Sequence, residues 1–308
     1  MYYIKYLDYI FNLQNLLTIT VKKLLKILIK FPLNVYFLYL NILKFLNKRS
    51  YNYLNDLFVS SIQNKKKIIN VYGKKIFIYT PNQLCEYRAN TFFSKEPETI
   101  NWIDKYGKKS VLYDIGANIG LYSLYHSITN QSQSYAFEPS VFNLIQLAKN
   151  ININKCKNLI HVISNPLSNV NSISEFNYSS SIEGGALSSF GVDFNFEGKK
   201  LTSELTLNKL GFTIDELIEN KYLIKKPNLI KIDVDGIEHL ILDGCQKTLI
   251  DNDCKTVLVE INDSFNLQRE NSERILNDCG FKLLKKEQSI YTENNDGFEK
   301  TYNQIWEK

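Results

Sequence analysis

The sequence DIGANIG (residues 114–120) decides the fold, because it joins an acidic strand end to a glycine turn that opens a helix. The apolar run that starts at Val111 precedes it, and Glu138 ends the next β-rich run, SYAFEP. In an α/β sheet such a turn holds a nucleotide-type ligand, and an acid at the neighbouring strand end accepts hydrogen bonds from a ribose. The sequence therefore predicts a cofactor site made of two adjacent strand ends.

The glycine spacing indicates which cofactor binds. Dinucleotide sites use G-x-G-x-x-G, in which the second glycine lets the backbone approach a pyrophosphate. Asn118 takes that position here, and its side chain would obstruct a pyrophosphate. S-adenosylmethionine carries no phosphate, so a turn with Gly116 and Gly120 around its methionine part, with Asp114 near the ammonium group, makes chemical sense. The alternative is an ordinary helix-start turn, in which Asp114 and Glu138 are only polar residues at strand ends.

The sequence on both sides of this turn alternates between β-rich and helical runs. Alternation of this kind predicts a parallel sheet with right-handed crossovers and helices on both faces. We predict strands over residues 111–116, 134–139, 158–164, 228–236, 256–261 and 281–284, and helices from about residue 120 and over 141–150, 237–243 and 268–279.

Three further segments flank or interrupt this pattern. The sequence IINVYGKKIFIY (residues 68–79) predicts a hairpin around Gly73, and Pro97 and Gly107 are typical of the start and end of a helix. Residues 165–200 are rich in Ser, Asn and Gly. We expect this last segment to be irregular and to lie over the strand ends, where an active-site loop belongs.

Composition excludes several classes of protein. A chain of 308 residues with 44% hydrophobic and 22% charged residues is globular. Its five cysteines are odd in number and form no CxxC pair, which argues against a disulfide framework and a structural zinc site. Only three histidines are present, so chemistry that needs several histidine ligands has few candidates. The composition favours a reduced, cytoplasmic protein.

The positive charge is concentrated at the start of the chain. Residues 1–50 carry eight basic residues and one acidic residue, a net charge of +7, while the rest of the chain carries −2. A body without basic excess offers little to neutralise phosphates, so we expect no nucleic-acid partner.

The basic segment over residues 21–46 reads as an amphipathic helix, because Lys22, Lys26 and Lys30 recur at a spacing of four. Its longest uncharged run has 13 residues and contains Pro32, whereas crossing a bilayer takes roughly 17–25 apolar residues. Two interpretations stay open: a segment on an anionic membrane surface, or a helical layer packed on the protein or on a second copy. We divide the chain into a helical leader over residues 1–65 and a domain over residues 66–308.

Five motifs occur in order over about residues 90–285: YDIGANIGLYSL, FEPSVFNLIQLAKNININ, TIDEL, LIKIDVDGIEHLILDG and LVEIN. Together they closely resemble the FkbM-type S-adenosylmethionine-dependent methyltransferases. The resemblance implies a class I, Rossmann-like fold with a seven-stranded, mostly parallel sheet whose last strand is reversed. It implies methylation of hydroxyl groups on sugars, glycans or secondary metabolites. By matching positions, it implies cofactor binding by Asp114, Gly116, Asn118, Gly120 and Glu138.

Titratable residues follow the later strands of the predicted sheet. Asp233, Asp235, Glu238, His239 and Glu260 should lie in or near one crevice, because the carboxyl ends of parallel strands meet at the same edge. Methyl transfer needs an aligned acceptor oxygen and removal of its proton. We predict Asp233 as the base or acceptor-orienting group, Glu238 as a residue that positions the loop or substrate, and His239 as the competing base. Alternatively, Glu238 only favours the helix N-terminus and His239 faces solvent.

Two other functions remain open at this point. Asp233-Val234-Asp235 has the spacing of a Mg²⁺ or Mn²⁺ site in a metal-dependent glycosyltransferase, but that reading leaves the DIGANIG turn unexplained, and we predict no metal. A catalytically inactive, membrane-associated scaffold would keep the fold without turnover. In the leading interpretation the partner is a small molecule or glycan with a hydroxyl group, and a homo-oligomer stays open. Specificity for that acceptor should lie in residues 88–96, 165–200 and the leader.

Overall fold

The computed structural model describes residues 19–223, 225–288 and 298–308, with the side chains of residues 19–29 left out. The chain divides into two compact units, one ending at Asn64 and the other formed by Lys65–Lys308. Residues 1–18 of the predicted leader lie outside the described residues.

The first unit contains two helices, α1 (Ile19–Leu46) and α2 (Lys48–Gln63). Asn47 caps α2, because its side chain accepts hydrogen bonds from the N–H groups of Arg49 and Ser50. The Tyr36 and Phe58 rings pack with their centroids 4.7 Å apart. The helix predicted over residues 21–46 is present, but the side chains of Lys22 and Lys26 fall outside the description. No helix among the described residues combines the length and the hydrophobicity needed to cross a membrane.

The second unit contains the following elements in chain order. Its strands are β1 (Lys66–Val71), β2 (Lys74–Tyr79), β3 (Leu112–Ile115), β4 (Ser134–Phe137), β5 (Ile160–Ile163), β6 (Ser172–Tyr178), β7 (Ser189–Phe190), β8 (Leu205–Gly211), β9 (Leu229–Ile232), β10 (Thr256–Asn262), β11 (Lys282–Glu287) and β12 (Thr301–Glu307). Its helices are α3 (Gln83–Asn90), α4 (Pro97–Tyr106), α5 (Leu121–Asn130), α6 (Val141–Ile153), α7 (Ile214–Glu219), α8 (Glu238–Asp243), α9 (Gln246–Ile250) and α10 (Asn266–Asp278).

Seven strands form the central sheet, in the order β11-β12-β10-β9-β3-β4-β5. The pairs between β10, β9, β3, β4 and β5 are parallel, while β12 runs antiparallel to both β10 and β11. This is the α/β fold with a reversed last strand, so the predicted fold class is confirmed. The hairpin formed by β1 and β2 is also present.

Side chains of the central strands alternate between two cores, which is why helices cover both faces of the sheet. Tyr113 and Ile230 belong to one hydrophobic cluster, whereas Leu112 and Leu229 belong to the other. All four residues of β3, of β4 and of β9 are buried. A strand buried on both faces reads as a nearly continuous apolar run, which is the pattern that predicted these elements.

The expectation of irregular structure over residues 165–200 is partly wrong. Strands β6 and β7 lie inside this segment, and with β8 they form a three-stranded antiparallel sheet in the order β7-β6-β8. The local sequence did not indicate these strands, because β6 pairs with a strand that begins 27 residues after β6 ends, and its two exposed positions, Ile173 and Glu175, do not follow an alternation of apolar and polar residues. Residues 183–188, between β6 and β7, do form an irregular loop.

Candidate active site

The turn that follows β3 brings the ends of three strands together. Gly116 has a φ of +82°, and a Cβ atom built on it would lie 1.9 Å from the carbonyl oxygen of Asp233, just beyond β9. Its N–H donates to the carbonyl oxygen of Phe137 at the end of β4. Only glycine fits at such a crossing. The ends of β3, β4 and β9 therefore meet at this residue.

Glu138 lies directly after β4 and faces this turn. Its carboxylate accepts hydrogen bonds from the N–H groups of Asn118 (2.8 Å) and Ser140 (2.7 Å). Burial raises the pKa of Glu138 to about 7, although these two hydrogen bonds act in the opposite direction. A carboxylate oriented in this way can accept hydrogen bonds from vicinal hydroxyl groups of a ligand.

A cavity opens beside Glu138, which we call the first cavity. Its wall includes Gly116, Asn118, Glu138, Asn143, Phe176 and Asp233. It lies at the carboxyl ends of β3, β4 and β9, which is where open α/β sheets bind their ligands. The predicted cofactor residues Gly116, Asn118 and Glu138 are brought together here.

The loop over residues 183–188 covers the first cavity, and Gly185 forms part of the wall. The carbonyl oxygen of Gly185 accepts hydrogen bonds from the side-chain amides of Asn118 (2.7 Å) and Asn143 (3.1 Å). The N–H of Leu187 donates to the carboxylate of Asp235 at 2.6 Å. The loop is therefore fastened to the ends of β3 and β9 and to α6.

Asp114 does not lie where the sequence suggested. It is fully buried and accepts hydrogen bonds from the N–H (3.0 Å) and the hydroxyl (2.6 Å) of Ser123 in α5. It lines neither the first cavity nor the second cavity described below. Its position one residue before the end of β3 directs it towards α5, so the structure gives it a role in holding that helix. Gly120 likewise lines neither cavity and caps α5 with a φ of +87°.

A second cavity adjoins the first on the side of α3 and α4. Its wall combines apolar residues such as Phe92 and Leu121 with five charged side chains: Arg88, Lys95, Glu96, Lys231 and Asp233.

Two ion pairs organise the second cavity. The Lys95 ammonium lies 2.5 Å from Glu96, and the Lys231 ammonium lies 2.7 Å from Asp233. Burial favours the neutral form of Asp233, but the charges of Lys231 and Lys95 outweigh it and hold its pKa below the ordinary value. Asp233 is therefore ionised at neutral pH.

Asp233 also belongs to a group of three carboxylates. One oxygen from each of Asp233, Asp235 and Glu260 lies within 4.8 Å of the others, an arrangement that could hold a divalent cation. Burial, then the charge of Asp233, raise the pKa of Asp235 to about 6 and that of Glu260 well above its ordinary value. The ammonium of Lys231 already supplies Asp233 with a counter-ion.

Glu238 and His239 occupy separate surroundings. Glu238 is fully buried and accepts hydrogen bonds from the N–H groups of Val234 (3.0 Å) and Gly236 (3.0 Å), so it holds the loop after β9. His239 lines a different cavity together with Arg274, and its ring packs near Phe265. The structure does not bring His239 to the carboxylates, because it lies on the far side of α8 from the first cavity.

Lys231 and Asn143 were not predicted as parts of this site, and Glu96 was predicted only as the end of a segment, residues 88–96, expected to set specificity for the acceptor. Lys231 carried a signal: it interrupts the apolar strand LIKI at a position that proves to be 1% exposed. A lysine is almost never fully buried unless it is paired. Glu96 and Asn143 lie at or inside helices and carried no comparable signal.

The chain matches the family model described as methyltransferase FkbM domain over residues 114–283. Among solved structures, it is similar to a methyltransferase FkbM from Methylobacillus flagellatus KT, with 12% identity, a TM-score of 0.43, and coverage of 65% of this chain and 44% of that one. The chain thus spans less than half the length of that protein.

A second similar structure is TYW2 from M. jannaschii in complex with AdoMet, with 12% identity, a TM-score of 0.41, and coverage of 80% of this chain and 88% of that one. A third is the precorrin-6y C5,15-methyltransferase from Geobacter metallireducens GS-15, with 13% identity, a TM-score of 0.40, and coverage of 70% and 89%. No curated protein matches this chain.

Proposed function

Because the chain belongs to the FkbM methyltransferase family, we propose that it transfers a methyl group from S-adenosylmethionine to a hydroxyl group of a sugar, a glycan or a secondary metabolite. The predicted family is confirmed, and membership supports S-adenosylmethionine as the cofactor. The acceptor and the role of each residue are our proposals. A glycosyltransferase, the alternative suggested by Asp233-Val234-Asp235, gains no support from this family.

One observation carries the cofactor site: Glu138 stands at the end of β4, on the wall of the first cavity, with its carboxylate oriented by two backbone N–H groups. A ribose with two free hydroxyl groups matches such a carboxylate. We assign the nucleoside part of the cofactor to the first cavity, with Gly116 and Asn118 in the turn beside it.

For the reaction, S-adenosylmethionine supplies a methyl group on a sulfonium leaving group. Asp233 is ionised and a quarter exposed, with Lys231 bound to one of its oxygens, so it can accept a hydrogen bond from the acceptor hydroxyl. Holding the oxygen of the acceptor hydroxyl in line with the methyl group lowers the activation barrier to methyl transfer, because the displacement depends on that alignment. Asp233 then takes the proton. Glu238 contributes by fixing the loop that carries Asp235.

Calorimetric titration of the full chain with S-adenosylmethionine and S-adenosylhomocysteine tests the cofactor assignment. Glu138→Gln should weaken binding of both at least tenfold, since a charged acceptor of hydrogen bonds is lost. Glu270→Gln, an exposed acid on α10, is the matched control and should bind as the wild type does. Failure of the well-folded wild-type protein to bind either compound would reject the proposal.

We also propose that residues 66–308 carry the activity and that the leader lies on an anionic membrane surface. Exposed apolar side chains on α1 support this, among them Phe31, Phe37 and Phe45, the last of which is 90% exposed. The leader also carries the excess of lysine. Apolar burial combined with attraction of lysine to anionic lipid is the chemistry of an interfacial helix.

A further inference from the structure

The second cavity has no ligand assigned to it so far. It shares Gly116, Asn118 and Asp233 with the first cavity, so the two adjoin along the turn after β3. Gly116 has no side chain to separate them. One elongated molecule can therefore extend from one cavity into the other.

The charges that line the second cavity are paired with one exception. Lys95 pairs with Glu96, whose other oxygen accepts a hydrogen bond from Tyr122 at 2.6 Å, and Lys231 pairs with Asp233. Arg88 donates through Nε to the carbonyl oxygen of Gly184 at 2.7 Å. Over residues 19–223, 225–288 and 298–308, its two terminal nitrogens have no hydrogen-bond partner, and no carboxylate lies within ion-pair distance of them.

An unpaired guanidinium on a cavity wall is suited to an anionic ligand group. Guanidinium binds carboxylate through two parallel hydrogen bonds, and a partly buried charge without a partner is unfavourable. A carboxylate could come from the cofactor or from the acceptor. The cofactor is favoured, because its nucleoside part is assigned to the adjoining cavity and its amino-acid part must leave that cavity in some direction.

We propose that Arg88 binds the carboxylate of the amino-acid part of S-adenosylmethionine in the second cavity. This inference rests on the proposed function, and it moves the amino-acid end away from Asp114 to the segment before β3. Arg88 also donates a hydrogen bond to the carbonyl oxygen of Gly184. The same side chain therefore contributes to cofactor binding and fastens the loop over residues 183–188.

Two ligands separate the amino-acid end from the nucleoside end: S-adenosylhomocysteine, and 5′-methylthioadenosine, which lacks the amino-acid part. Calorimetry of the full chain should show that Arg88→Gln weakens S-adenosylhomocysteine about 10- to 100-fold and leaves 5′-methylthioadenosine within about twofold. Arg88→Lys keeps the charge without the fork and should lose less. If Arg88→Gln does not fold, Arg88→Lys takes its place in the same comparison of the two ligands.

Asn82→Ser is the matched control for the loop. Asn82 donates to Glu183, next to the residue that Arg88 holds, and serine can still cap α3. It should shift the affinities for both ligands by the same factor. An equal loss for both ligands in Arg88→Gln, or no loss for either, would overturn the proposal. If the wild-type protein binds 5′-methylthioadenosine while Arg88→Gln shows one of these two results, only the assignment of Arg88 is rejected and the proposed function is kept. If the wild-type protein binds neither ligand, the assignment of Arg88 and the proposed function are both rejected.

Discussion

At Gly116 the backbone of β3 approaches the carbonyl group of Asp233 so closely that no side chain fits. The positive φ of Gly116 could be predicted from the glycine turn. The close approach to Asp233 could not, since Gly116 and Asp233 are far apart in the sequence. Gly73 offers a comparison, because it has a similar φ of +75° and no atom within 4 Å of a built Cβ.

We expect Gly116→Ala to lower the free energy of unfolding by about 4 kcal/mol or more, because the methyl group meets backbone that cannot move aside. Gly73→Ala should cost only about 1–2 kcal/mol, the usual penalty for a left-handed alanine. Urea denaturation monitored by circular dichroism measures the free energy of unfolding of both variants. Equal losses would mean that the approach of β3 to Asp233 is looser than the structure has it.

If Glu138 binds the cofactor as proposed, we expect the affinity for the cofactor to depend on pH. Its pKa is raised to about 7 by burial, and only the ionised carboxylate can accept two hydrogen bonds from a ribose. Protonation therefore opposes binding, and the affinity for S-adenosylhomocysteine should fall about tenfold from pH 8 to pH 6. In Glu138→Gln the same titration should be nearly flat. A slope that persists in this variant would assign the dependence to another group, such as Asp235.

Asp114 and Glu138, the two acids predicted to bind the cofactor at the ends of β3 and β4, take different positions in the structure. Glu138 reaches the cavity wall, whereas Asp114 points into the protein towards Ser123. Both end a strand in the sequence. Asp114 lies within β3, opposite Ala136 of β4, whereas Glu138 lies one residue beyond the end of β4. The distance of each acid from the edge of the sheet is set by the pairing of neighbouring strands.

At the scale of elements, β9 contributes side chains to both the hydrophobic core and the candidate active site. Ile230 and Ile232 pack into one hydrophobic cluster, while Lys231 points to the opposite face beside Asp114, its register partner on β3. The Lys231 ammonium reaches Asp233 just past the strand end and lies 5.0 Å from the centre of the Tyr122 ring. Alternation along one strand therefore places a cation beside the carboxylate of Asp233.

We expect Lys231→Met to destabilise the protein by about 3–5 kcal/mol, because Asp233 and Asp114 lose their buried counter-ion. Lys65→Met breaks the exposed pair with Glu86 and should cost no more than about 1 kcal/mol. Thermal unfolding of the two variants beside the wild type makes the comparison. A loss of less than about 1 kcal/mol in Lys231→Met would show that the network does not stabilise the fold.

At the scale of the whole molecule, the chain divides after Asn64 into a helical unit and an α/β unit. The family model begins at residue 114, so the helical unit lies outside the match. We therefore expect the two units to differ in function as well as in architecture.

Removing residues 1–64 should leave the affinity for S-adenosylhomocysteine unchanged and abolish sedimentation with vesicles that contain phosphatidylserine. The reason is that the excess lysine and the exposed aromatic residues of α1 are removed together, while the carboxyl ends of β3, β4 and β9 stay intact. Vesicles of phosphatidylcholine alone serve as the control. Unchanged sedimentation of the shortened protein would reject the membrane assignment, and loss of cofactor binding would indicate a helical layer needed by the domain.

The sequence by itself determined the parallel sheet, the glycine turn and the family, because strands buried on both faces and a turn that only glycine can form leave local patterns. Tertiary structure decided the rest. It turned Asp114 into the protein, separated His239 from the carboxylates, paired β6 with β8 and assembled Arg88, Glu96 and Lys231 around Asp233. These outcomes depend on contacts between residues distant in the chain, whose electrostatic and steric effects exist only once the strands are in register.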